Sequence, residues 1–330
     1  MKYHYIAALL LLSMSVALVG IYHLYFSPPL LREGIPETEV LISKGLSTLE
    51  IAKNLRDSGV IDSPTLFVLF AKLLGLEREL KAGRYRLKKD ISELDCVKIV
   101  SKGVMTSVTV TIPEGLTVNA TARLLGEKLD VEPERFVSLC ADKEFIRELG
   151  LDGRSLEGRL FPDTYGFSWN TDAKEIIRLM VQRFEAVFAE EWMNREVNDL
   201  SPDEILILAS IIEGEAVRDD ESPLISAVFH NRLRRNRPLQ ADPTIQYILK
   251  EHKPRILYKH LKIDSPYNTY LYTGLPPRPI CSPGRASIRA ALNPAHVDYL
   301  YFVAKGDGGH IFSRTLQEHN LAKRSVRANQ

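Results

Sequence analysis

The chain has 330 residues, of which 45% are hydrophobic, 26% charged and 8% aromatic. This composition is typical of a folded globular protein and too apolar for a disordered one. The length suggests roughly two domains besides any membrane segment. Lys and Arg number 43 and Asp and Glu 42, so the net charge is +1 and the basic excess of a nucleic-acid-binding protein is missing.

The sequence lacks the motifs that several classes of protein need for their chemistry. Cys96, Cys140 and Cys281 are few and scattered and form no CxxC pair, which disfavours a disulfide framework and a thiolate zinc site. The eight histidines form no HExxH zinc motif, and neither a GxSxG nor a Walker or GxGxxG loop occurs, so the motifs of metallopeptidases, serine hydrolases and nucleotide-binding proteins are missing. We therefore expect no metal and no cofactor.

The N-terminal segment is apolar enough to cross a membrane. Ile6 to Leu24 contains no charged residue and, at about 1.5 Å per residue, nearly covers the roughly 30 Å hydrocarbon core. A cleaved signal peptide is the alternative, but the stretch is long and no clear A-x-A site follows it. We expect a cytoplasmic tail, a retained single-pass anchor and a proline-rich spacer within residues 1–29, with the rest of the chain exported.

A strand–turn–helix unit occurs twice in the chain. VLISKGLSTLEIAKNL, from Val40, matches VTIPEGLTVNATARLL, from Val110. In each copy a short alternating strand leads through a Gly turn to an amphipathic helix capped by Ser47 or Thr117. The first copy continues into a second helix and a strand at Tyr85. This strand–helix–helix–strand order resembles a LysM-like module, a small fold that often binds N-acetylhexosamine glycans, although a packing repeat without a ligand fits equally.

A polar break interrupts the helices predicted from Glu132 to Trp192. It reads SLEGRLFPDTYGF, from Ser155, and mixes Glu157 and Asp163 with aromatic residues, a glycine and a proline. Such a segment either lines a cleft or forms a tight structural corner.

A helix that carries a carboxyl at its far end is the strongest local signal. At its start, the SPDE sequence from Ser201 supplies a capping serine, a proline suited to the first turn and a capping-box glutamate. The run ILILASII that follows predicts a helix buried on every side. Glu213 shares a helix face with Leu206 and Ala209. We therefore expect burial to raise the pKa of its carboxyl, as a general acid near neutral pH requires.

The alternative interpretation of Glu213 is structural, with its carboxylate paired to Arg218 or Arg232. The sequence that follows favours a binding site instead. Ser222 and Pro223 predict another capped helix, whose last turn is rich in arginine. Beyond it come polar and aromatic residues of the kinds that a sugar-binding groove needs, because sugars offer both hydroxyl groups and apolar ring faces. These candidates, with two from the polar break, are Gln240, Asp242, Thr244, Tyr267, Asn268, Tyr270, His310, Glu157 and Asp163.

These motifs together resemble the YceG-like family of endolytic murein transglycosylases. They are SLEGRLFPDTY, ILASIIEGEA, VFHNRL, LQADPTIQY, SPYNTY, GLPPRPI, YFVAKGDGGHIF and EHN, in the expected order over essentially the whole chain. The family's catalytic glutamate falls on Glu213. The chain departs from the pattern in three places: Gly214 stands where lysine is common, Ala216 where threonine is frequent, and the pair Cys281-Ser282 where many members have asparagine.

The resemblance implies an α+β fold: an N-terminal transmembrane helix, a small LysM-like βααβ subdomain over residues 30–105, and a larger mixed α/β catalytic domain over 106–330. It also implies cleavage of the β-1,4 bond between N-acetylmuramic acid and N-acetylglucosamine within glycan strands. Glu213 would protonate the leaving oxygen and then take the proton of the muramyl C6 hydroxyl. The products would carry 1,6-anhydro ends, and nascent strands would be terminated.

The implied partners are peptidoglycan strands, the membrane and peptidoglycan synthases of the penicillin-binding class, and the implied location is the outer side of the bacterial inner membrane. Residues 201–330 carry 18 Lys and Arg against 13 Asp and Glu, a balance that suits a polymer bearing peptide carboxylates. Two other functions remain open from the sequence. One is a non-catalytic, membrane-tethered glycan-binding scaffold, and the other is a hydrolytic muramidase with Asp242 or Glu215 as a second carboxylate.

Overall fold

The computed structural model describes residues 36–89, 91–103, 107–168, 171–195, 199–249, 253 and 255–328. The chain divides into two compact units, Met1–Thr106 and Ser107–Gln330. Both units combine helices with small antiparallel sheets, so the fold is mixed α+β, as the sequence predicts. The predicted anchor at residues 6–24 lies outside the described residues. Within the described ranges, no helix has the length and apolar character needed to cross a bilayer.

The first unit is built around one antiparallel pair of strands and three helices. In its described part the order is β1 (Glu37–Ile42), α1 (Thr48–Asp57), α2 (Pro64–Leu73), β2 (Gly83–Lys88) and α3 (Glu93–Lys102). β1 pairs antiparallel with β2, with Val40 opposite the fully buried Tyr85. Ser47 caps α1 in a capping box with Glu50. The predicted strand–helix–helix–strand order is confirmed, and α3 adds Val97 and its neighbours to the core.

The second unit carries the remaining elements. Over residues 107–328, as far as they are described, these are β3 (Ser107–Thr111), α4 (Val118–Lys128), α5 (Pro133–Cys140), α6 (Lys143–Glu148), β4 (Thr164–Ser168), α7 (Ala173–Met193), α8 (Pro202–Glu215), α9 (Ser222–Arg234), α10 (Asp242–Leu249), α11 (Arg285–Leu292), β5 (Tyr301–Ala304), β6 (His310–Ser313) and α12 (Leu316–Ala328). β3 pairs antiparallel with β4, and β5 pairs antiparallel with β6.

The second copy of the repeated unit forms β3, its turn and α4. Gly115 lies in the turn with φ of +77°, a left-handed conformation that glycine adopts without a steric penalty. The hydroxyl of Thr117 accepts the N–H of Ala120 and caps α4. The predicted repeat is therefore confirmed at both copies. The polar break supplies β4, the strand that pairs with β3.

Helix α8 runs through one of the hydrophobic core clusters of the second unit. All eight residues from Ile205 to Ile212 are buried, and Ser201 caps the helix in the predicted capping box with Glu204. The serine inside the apolar run is also used, because the Ser210 hydroxyl accepts the N–H of Ile280 at 3.0 Å. This bond fastens the Pro/Gly-rich loop of residues 274–284 to α8.

The start of α9 differs from the prediction. Ser222 does not cap the helix, because the 3-10 turn Asp219–Glu221 runs directly into it and leaves Ser222 in helical conformation, with φ −52° and ψ −42°. Its side chain is buried, and its hydroxyl has no hydrogen-bond partner among the described residues. Pro223 does lie in the first turn, and arginines do occupy the last turn.

Candidate active site

The carboxyl of Glu213 lies where the end of α8 meets the start of α11. Its Oε2 accepts the backbone N–H of Gly284 at 2.9 Å, and the Ser287 hydroxyl donates a second hydrogen bond. Burial raises the pKa of Glu213, and the nearby charge of Asp219 acts in the same direction. The two hydrogen bonds favour the carboxylate but do not outweigh burial. The raised pKa expected from the sequence therefore agrees with the structure.

The two arginines proposed as structural partners of Glu213 bind other groups. The guanidinium of Arg218 pairs with Asp220 at 2.9 Å. Arg232 is buried and donates to the backbone carbonyls of Pro238, Leu239 and Leu300. In the described part of the chain, the purely structural interpretation of Glu213 therefore has no support.

A cavity of about 760 Å³ lies at the end of α8, where Gly214 and Glu215 form part of its wall and Glu213 does not. Its volume is within the usual range of ligand-binding pockets. Gly115 is part of its wall and also lies against Glu213, since a Cβ at Gly115 would be 3.8 Å from Glu213 Cγ. The wall combines polar, charged, aromatic and aliphatic side chains. Its residues are Gly115, Leu116, Thr117, Asn119, Ala120, Arg123, Glu157, Gly214, Glu215, Asp242, Pro243, Gln246, Tyr247, Ile280 and Cys281.

Three carboxyl groups line this cavity. Burial raises the pKa of Glu157 to about 7, although its Oε1 accepts the N–H of Val118 at 3.0 Å. Burial and the charge of Asp242 raise the pKa of Glu215 to about 8. Asp242 itself is exposed and accepts the hydroxyl of Tyr270 at 2.6 Å. The pKa values of two of the three groups are therefore raised toward neutral pH, so the wall is less negative than its composition indicates.

Two further candidates contact the wall of the cavity. The hydroxyl of Tyr270 donates to Asp242. The ring of Tyr267 packs on that of Tyr247, with centroids 4.9 Å apart. The structure thus brings Glu157, Asp242, Tyr267 and Tyr270 to one region. Gln240 has φ of +53°, and its side-chain oxygen accepts a hydrogen bond from Arg232, which is not a wall residue.

Thr244 and Asn268 are fully buried and use their polar groups internally. The Thr244 hydroxyl bonds to the carbonyl of Ala241 and to the Thr269 hydroxyl. The Asn268 amide donates to the carbonyls of residues 261 and 263, and its oxygen accepts the N–H of Tyr270. The direct sugar contacts predicted for Thr244 and Asn268 do not fit this burial, and both residues instead position the surrounding loops.

Asp163 and His310 make other contacts than a sugar-binding role requires. Asp163 accepts the N–H of Thr164 and pairs with Arg183 at 2.8 Å, which ties the start of β4 to α7. The ring Nδ1 of His310 and its backbone N–H both contact the carboxylate of Glu221. Neither Asp163 nor His310 is part of the cavity wall described above.

Several residues of the site were not predicted. Gly284 and Ser287 bind Glu213 from a helix start that the Pro/Gly-rich loop conceals in the sequence. Glu114, in the turn before α4, has a raised pKa, because of burial first and then the charges of Glu213 and Asp219. Comparison of the two copies of the repeat could have found Glu114, because the first copy has Lys44 at the same position and the charge therefore changes sign between otherwise similar segments.

Two backbone hydrogen bonds join the turn of Glu114 to the loop that leads into α11. The N–H of Gly115 donates to the carbonyl of Ser282, and the N–H of Ser282 donates to the carbonyl of Leu116, both at 2.9 Å. Residues far apart in sequence therefore form one wall around the Glu213 carboxyl.

The position of α11 is fixed by an ion-pair network with α7. The buried carboxylate of Glu191 accepts hydrogen bonds from Arg285 and Arg289, each at 2.9 Å. The exposed Glu190 binds Arg285 as well. Since α11 begins with the groups that contact Glu213, this network supports the site from outside the cavity.

Comparisons with known proteins identify relatives over most of the chain. The model of the YceG-like family matches residues 40–325. The endolytic murein transglycosylase of Bacillus subtilis strain 168 is 35% identical over 312 residues, which cover 89% of this chain and 86% of that protein. The Streptococcus pneumoniae D39 protein of the same name is 31% identical over 86% of this chain, but only 56% of its own length is covered. The solved structure of a yceG-like protein from Listeria monocytogenes has a TM-score of 0.59 and 34% identity, and covers 87% of this chain and 99% of that one.

Proposed function

The chain belongs to the YceG-like family, and from this premise we propose that it is an endolytic lytic transglycosylase acting on peptidoglycan. The observation that carries the proposal is the carboxyl of Glu213, which lies in the last turn of a helix with a buried centre and has a pKa raised by burial. Relatives named endolytic murein transglycosylases, at 31% to 35% identity, support the same activity.

The proposed reaction breaks the β-1,4 bond between N-acetylmuramic acid and N-acetylglucosamine. Glu213 donates its proton to the leaving glycosidic oxygen as positive charge develops at C1 of the muramyl residue. The muramyl C6 oxygen then bonds to C1, and its proton passes to the Glu213 carboxylate. The product carries a 1,6-anhydro ring, no water is consumed, and Glu213 regains its starting proton.

The contacts of Glu213 suit both halves of this cycle. Burial raises the pKa of the carboxyl and so favours its protonated form before the reaction. Once the proton has left, the Gly284 N–H and the Ser287 hydroxyl stabilise the carboxylate, and the N-terminus of α11 favours negative charge at the same point. We infer that these donors make the acid strong enough to react, while burial keeps it from ionising too early.

The cavity beside Glu213 is the proposed groove for the glycan strand. The side chains of Asn119, Arg123, Asp242 and Gln246 provide donors and acceptors for sugar hydroxyl and amide groups, and Tyr247 provides an aromatic face. Of the residues predicted from the sequence, we retain Glu157, Gln240, Asp242, Tyr267 and Tyr270 as candidates for substrate contact or orientation.

The cellular setting is also part of the proposal. We place the catalytic domain, residues 106–330, outside the cytoplasm and tethered by the anchor predicted in residues 1–29. The strand–helix–helix–strand order of the first unit supports a LysM-like subdomain within residues 30–105. Peptidoglycan synthases of the penicillin-binding class are the proposed partners, and termination of nascent strands is the proposed outcome. Protease accessibility of the second unit in intact spheroplasts tests this orientation.

A second candidate function is hydrolysis by two carboxylates. It has a specific observation in its favour, because Glu215 and Asp242 share one cavity wall next to Glu213. In a hydrolase, one carboxylate activates water as base or forms a glycosyl intermediate that water then cleaves. The products of the two reactions differ in mass by one water molecule for each cut, so they are distinguished directly.

The decisive experiment is product analysis of purified sacculi treated with wild-type protein and with Glu213→Gln. We expect anhydro ends from the wild type and none from the variant, while the exposed control Glu127→Gln keeps wild-type activity. Reducing ends at every cut would establish the hydrolase instead. Binding to sacculi with no cleavage by the wild type would establish a non-catalytic scaffold, and full activity of Glu213→Gln would exclude Glu213 as the acid.

A further inference from the structure

The carboxyl of Glu114 packs against Gly284. A Cβ at Gly284 would collide with the Glu114 carboxyl oxygens. The backbone of Gly284 does not itself require glycine, since its φ of −76° and ψ of 172° are extended values that any residue adopts. The absence of a side chain at position 284 therefore leaves room for the Glu114 carboxyl.

Gly284 also contacts the acid of the proposed reaction, because its N–H donates to Oε2 of Glu213 at 2.9 Å. One small residue thus lies against two carboxyl groups that come from different parts of the sequence. The turn that carries Glu114 is held there by the hydrogen bonds of Gly115 and Leu116 to Ser282. The backbone therefore holds the turn of Glu114 next to the loop whose last residue contacts Glu213.

The surroundings of the two carboxyls are acidic. Asp219 acts on both groups, and the Cys281 thiol lies within the field of Glu213. Arg285, which follows Gly284 in the chain, is bound to Glu190 and Glu191. Among the residues that the structure describes, no ion pair neutralises Glu114. A carboxyl kept next to like charges without such a partner is a common mark of a functional group.

The fold of the turn does not explain the presence of Glu114. The first copy of the repeated unit has Lys44 at this position, and its Gly45 adopts the same left-handed conformation, with φ of +85° against +77° for Gly115. A strand, Gly turn and capped helix therefore form with either charge. The acidic residue occurs only in the copy whose turn faces Glu213.

We propose that Glu114 is a second catalytic carboxyl, which stays ionised beside Glu213 and stabilises the positive charge that develops on the sugar. This inference rests on the proposed function and adds a residue to it. Glu114 forms no bond to the substrate. The proton still moves from Glu213 to the leaving oxygen, the bond from C1 to that oxygen breaks, the muramyl C6 oxygen bonds to C1, and the C6 hydroxyl proton returns to Glu213.

Exposure separates the two roles. Burial and the charge of Glu213 raise the pKa of Glu114 as well, but Glu114 is the more exposed of the two, and Glu213 lies partly buried at the end of α8. Water therefore solvates a charge on Glu114 more readily than a charge on Glu213. The negative charge of Glu114 then favours the protonated form of Glu213, and it also attracts the oxocarbenium-like transition state. The same residue therefore acts on the acid before the reaction and on the sugar during it.

The test uses the full chain with Glu114→Gln, which keeps the size of the side chain and removes its charge. We expect kcat for release of anhydro products to fall about 10- to 100-fold, with little change in KM. The pKa of Glu213, followed by carbon-13 NMR titration, should be lower in the variant because a neighbouring negative charge is gone. The exposed control Glu127→Gln should change neither quantity.

A second pair of variants tests the contact itself. Gly284→Ala should lower kcat, because the new methyl group displaces the Glu114 carboxyl, but it should add little further loss in a Glu114→Ala background. Wild-type kcat and an unchanged Glu213 pKa in Glu114→Gln would overturn the inference and leave the proposed function intact. A wild-type protein that releases no anhydro products would overturn the proposed function, and the inference with it.

Discussion

The backbone N–H of Gly284 donates to the carboxylate oxygen of Glu213, so the first residues of α11 solvate the acid that ends α8. This contact depends on the position of α11, which is also held from the side that faces away from Glu213. That support is the buried Glu191 of α7, which binds Arg285 and Arg289 in the first two turns of α11. The geometry of the acid is therefore set partly by ion pairs outside the cavity.

Replacing Glu191 is expected to weaken both stability and catalysis. Glu191→Gln removes the negative charge that Arg285 and Arg289 both contact. The amide has only one oxygen to accept their hydrogen bonds, where the carboxylate has two. We expect a loss of about 1–3 kcal/mol in the free energy of unfolding. The kcat should also fall, because α11 positions Gly284 and Ser287. Urea denaturation and steady-state kinetics on sacculi measure the two effects.

The neighbouring Glu190→Gln is the matched control for Glu191→Gln. Glu190 is on the same helix and binds the same Arg285, but its side chain is 58% exposed against 4% for Glu191. Exposed ion pairs contribute about 0–1 kcal/mol. Equal losses from the two variants would show that burial of Glu191 is not what stabilises α11.

Ser287→Ala is expected to shift the pH dependence of the reaction upwards. The Ser287 hydroxyl stabilises the Glu213 carboxylate, so its hydrogen bond lowers the pKa of that group. Removing the donor should raise the pKa of Glu213, and the alkaline limb of kcat/KM should move to higher pH. This direction is opposite to the one expected for Glu114→Gln. An unshifted limb in a folded Ser287→Ala protein would contradict the hydrogen bond.

Glu157 is expected to make the folded state less stable as pH rises. Burial raises its pKa to about 7, against 4.5 in the absence of the fold, so the folded chain holds this proton more tightly. The contribution of the Glu157 proton to the free energy of unfolding is fully present below pH 4.5, and it is lost as pH rises through 7. Its size is roughly 3 kcal/mol by linkage. Glu157→Gln should therefore lose this component of the pH dependence, as measured by urea denaturation between pH 4.5 and 8.

The control for Glu157→Gln is the exposed Glu134→Gln, which should follow the wild-type pH dependence within error. Parallel stability curves for wild type and Glu157→Gln across this range would show that the Glu157 carboxyl is already ionised in the folded protein at low pH.

Gly214→Ala is expected to destabilise the protein although alanine favours helices. In an exposed helix position this change stabilises by up to about 1 kcal/mol. Here a Cβ would lie 2.5 Å from Cβ of Pro243 at the start of α10, which is too close for carbon atoms. We expect a net loss of about 1–3 kcal/mol, as for other overpacked sites. A rise in the melting temperature would show that α10 moves away freely.

The same contact describes the surroundings of one position that departs from the family pattern. Gly214 stands where lysine is common, and the Pro243 ring lies beside it in this chain. Pro243 is itself part of the shared motif LQADPTIQY, so this contact does not explain the glycine, for which the structure gives no reason.

Where local sequence determines local structure, the predictions agree with the fold. The cap, proline and apolar run of α8 lie within a dozen residues of one another, and they place Glu213 at a buried helix end. Both copies of the repeat carry their own turn glycine and cap, so Ser47 and Thr117 were also identified. These signals need no knowledge of distant contacts.

The remaining parts of the site depend on contacts between distant segments. Ser222 has the sequence of a cap, but the preceding 3-10 turn continues into the helix and prevents that role. Thr244 and Asn268 have the chemistry of sugar ligands, and only the packing of residues 261–272 on α10 shows that they are buried. Glu114 and Glu213 lie about a hundred positions apart in the sequence, so no local pattern brings them together.

The two backbone hydrogen bonds donated by the amides of Gly115 and Ser282 have a consequence for dynamics. They are the short backbone bridge between the turn that carries Glu114 and the loop that leads into α11. Local opening of this bridge would separate the two carboxyls without unfolding α8. Hydrogen exchange at these two amides therefore reports how often the site is assembled, and a bound glycan strand that spans both sides should slow exchange there more than at the amides inside α8.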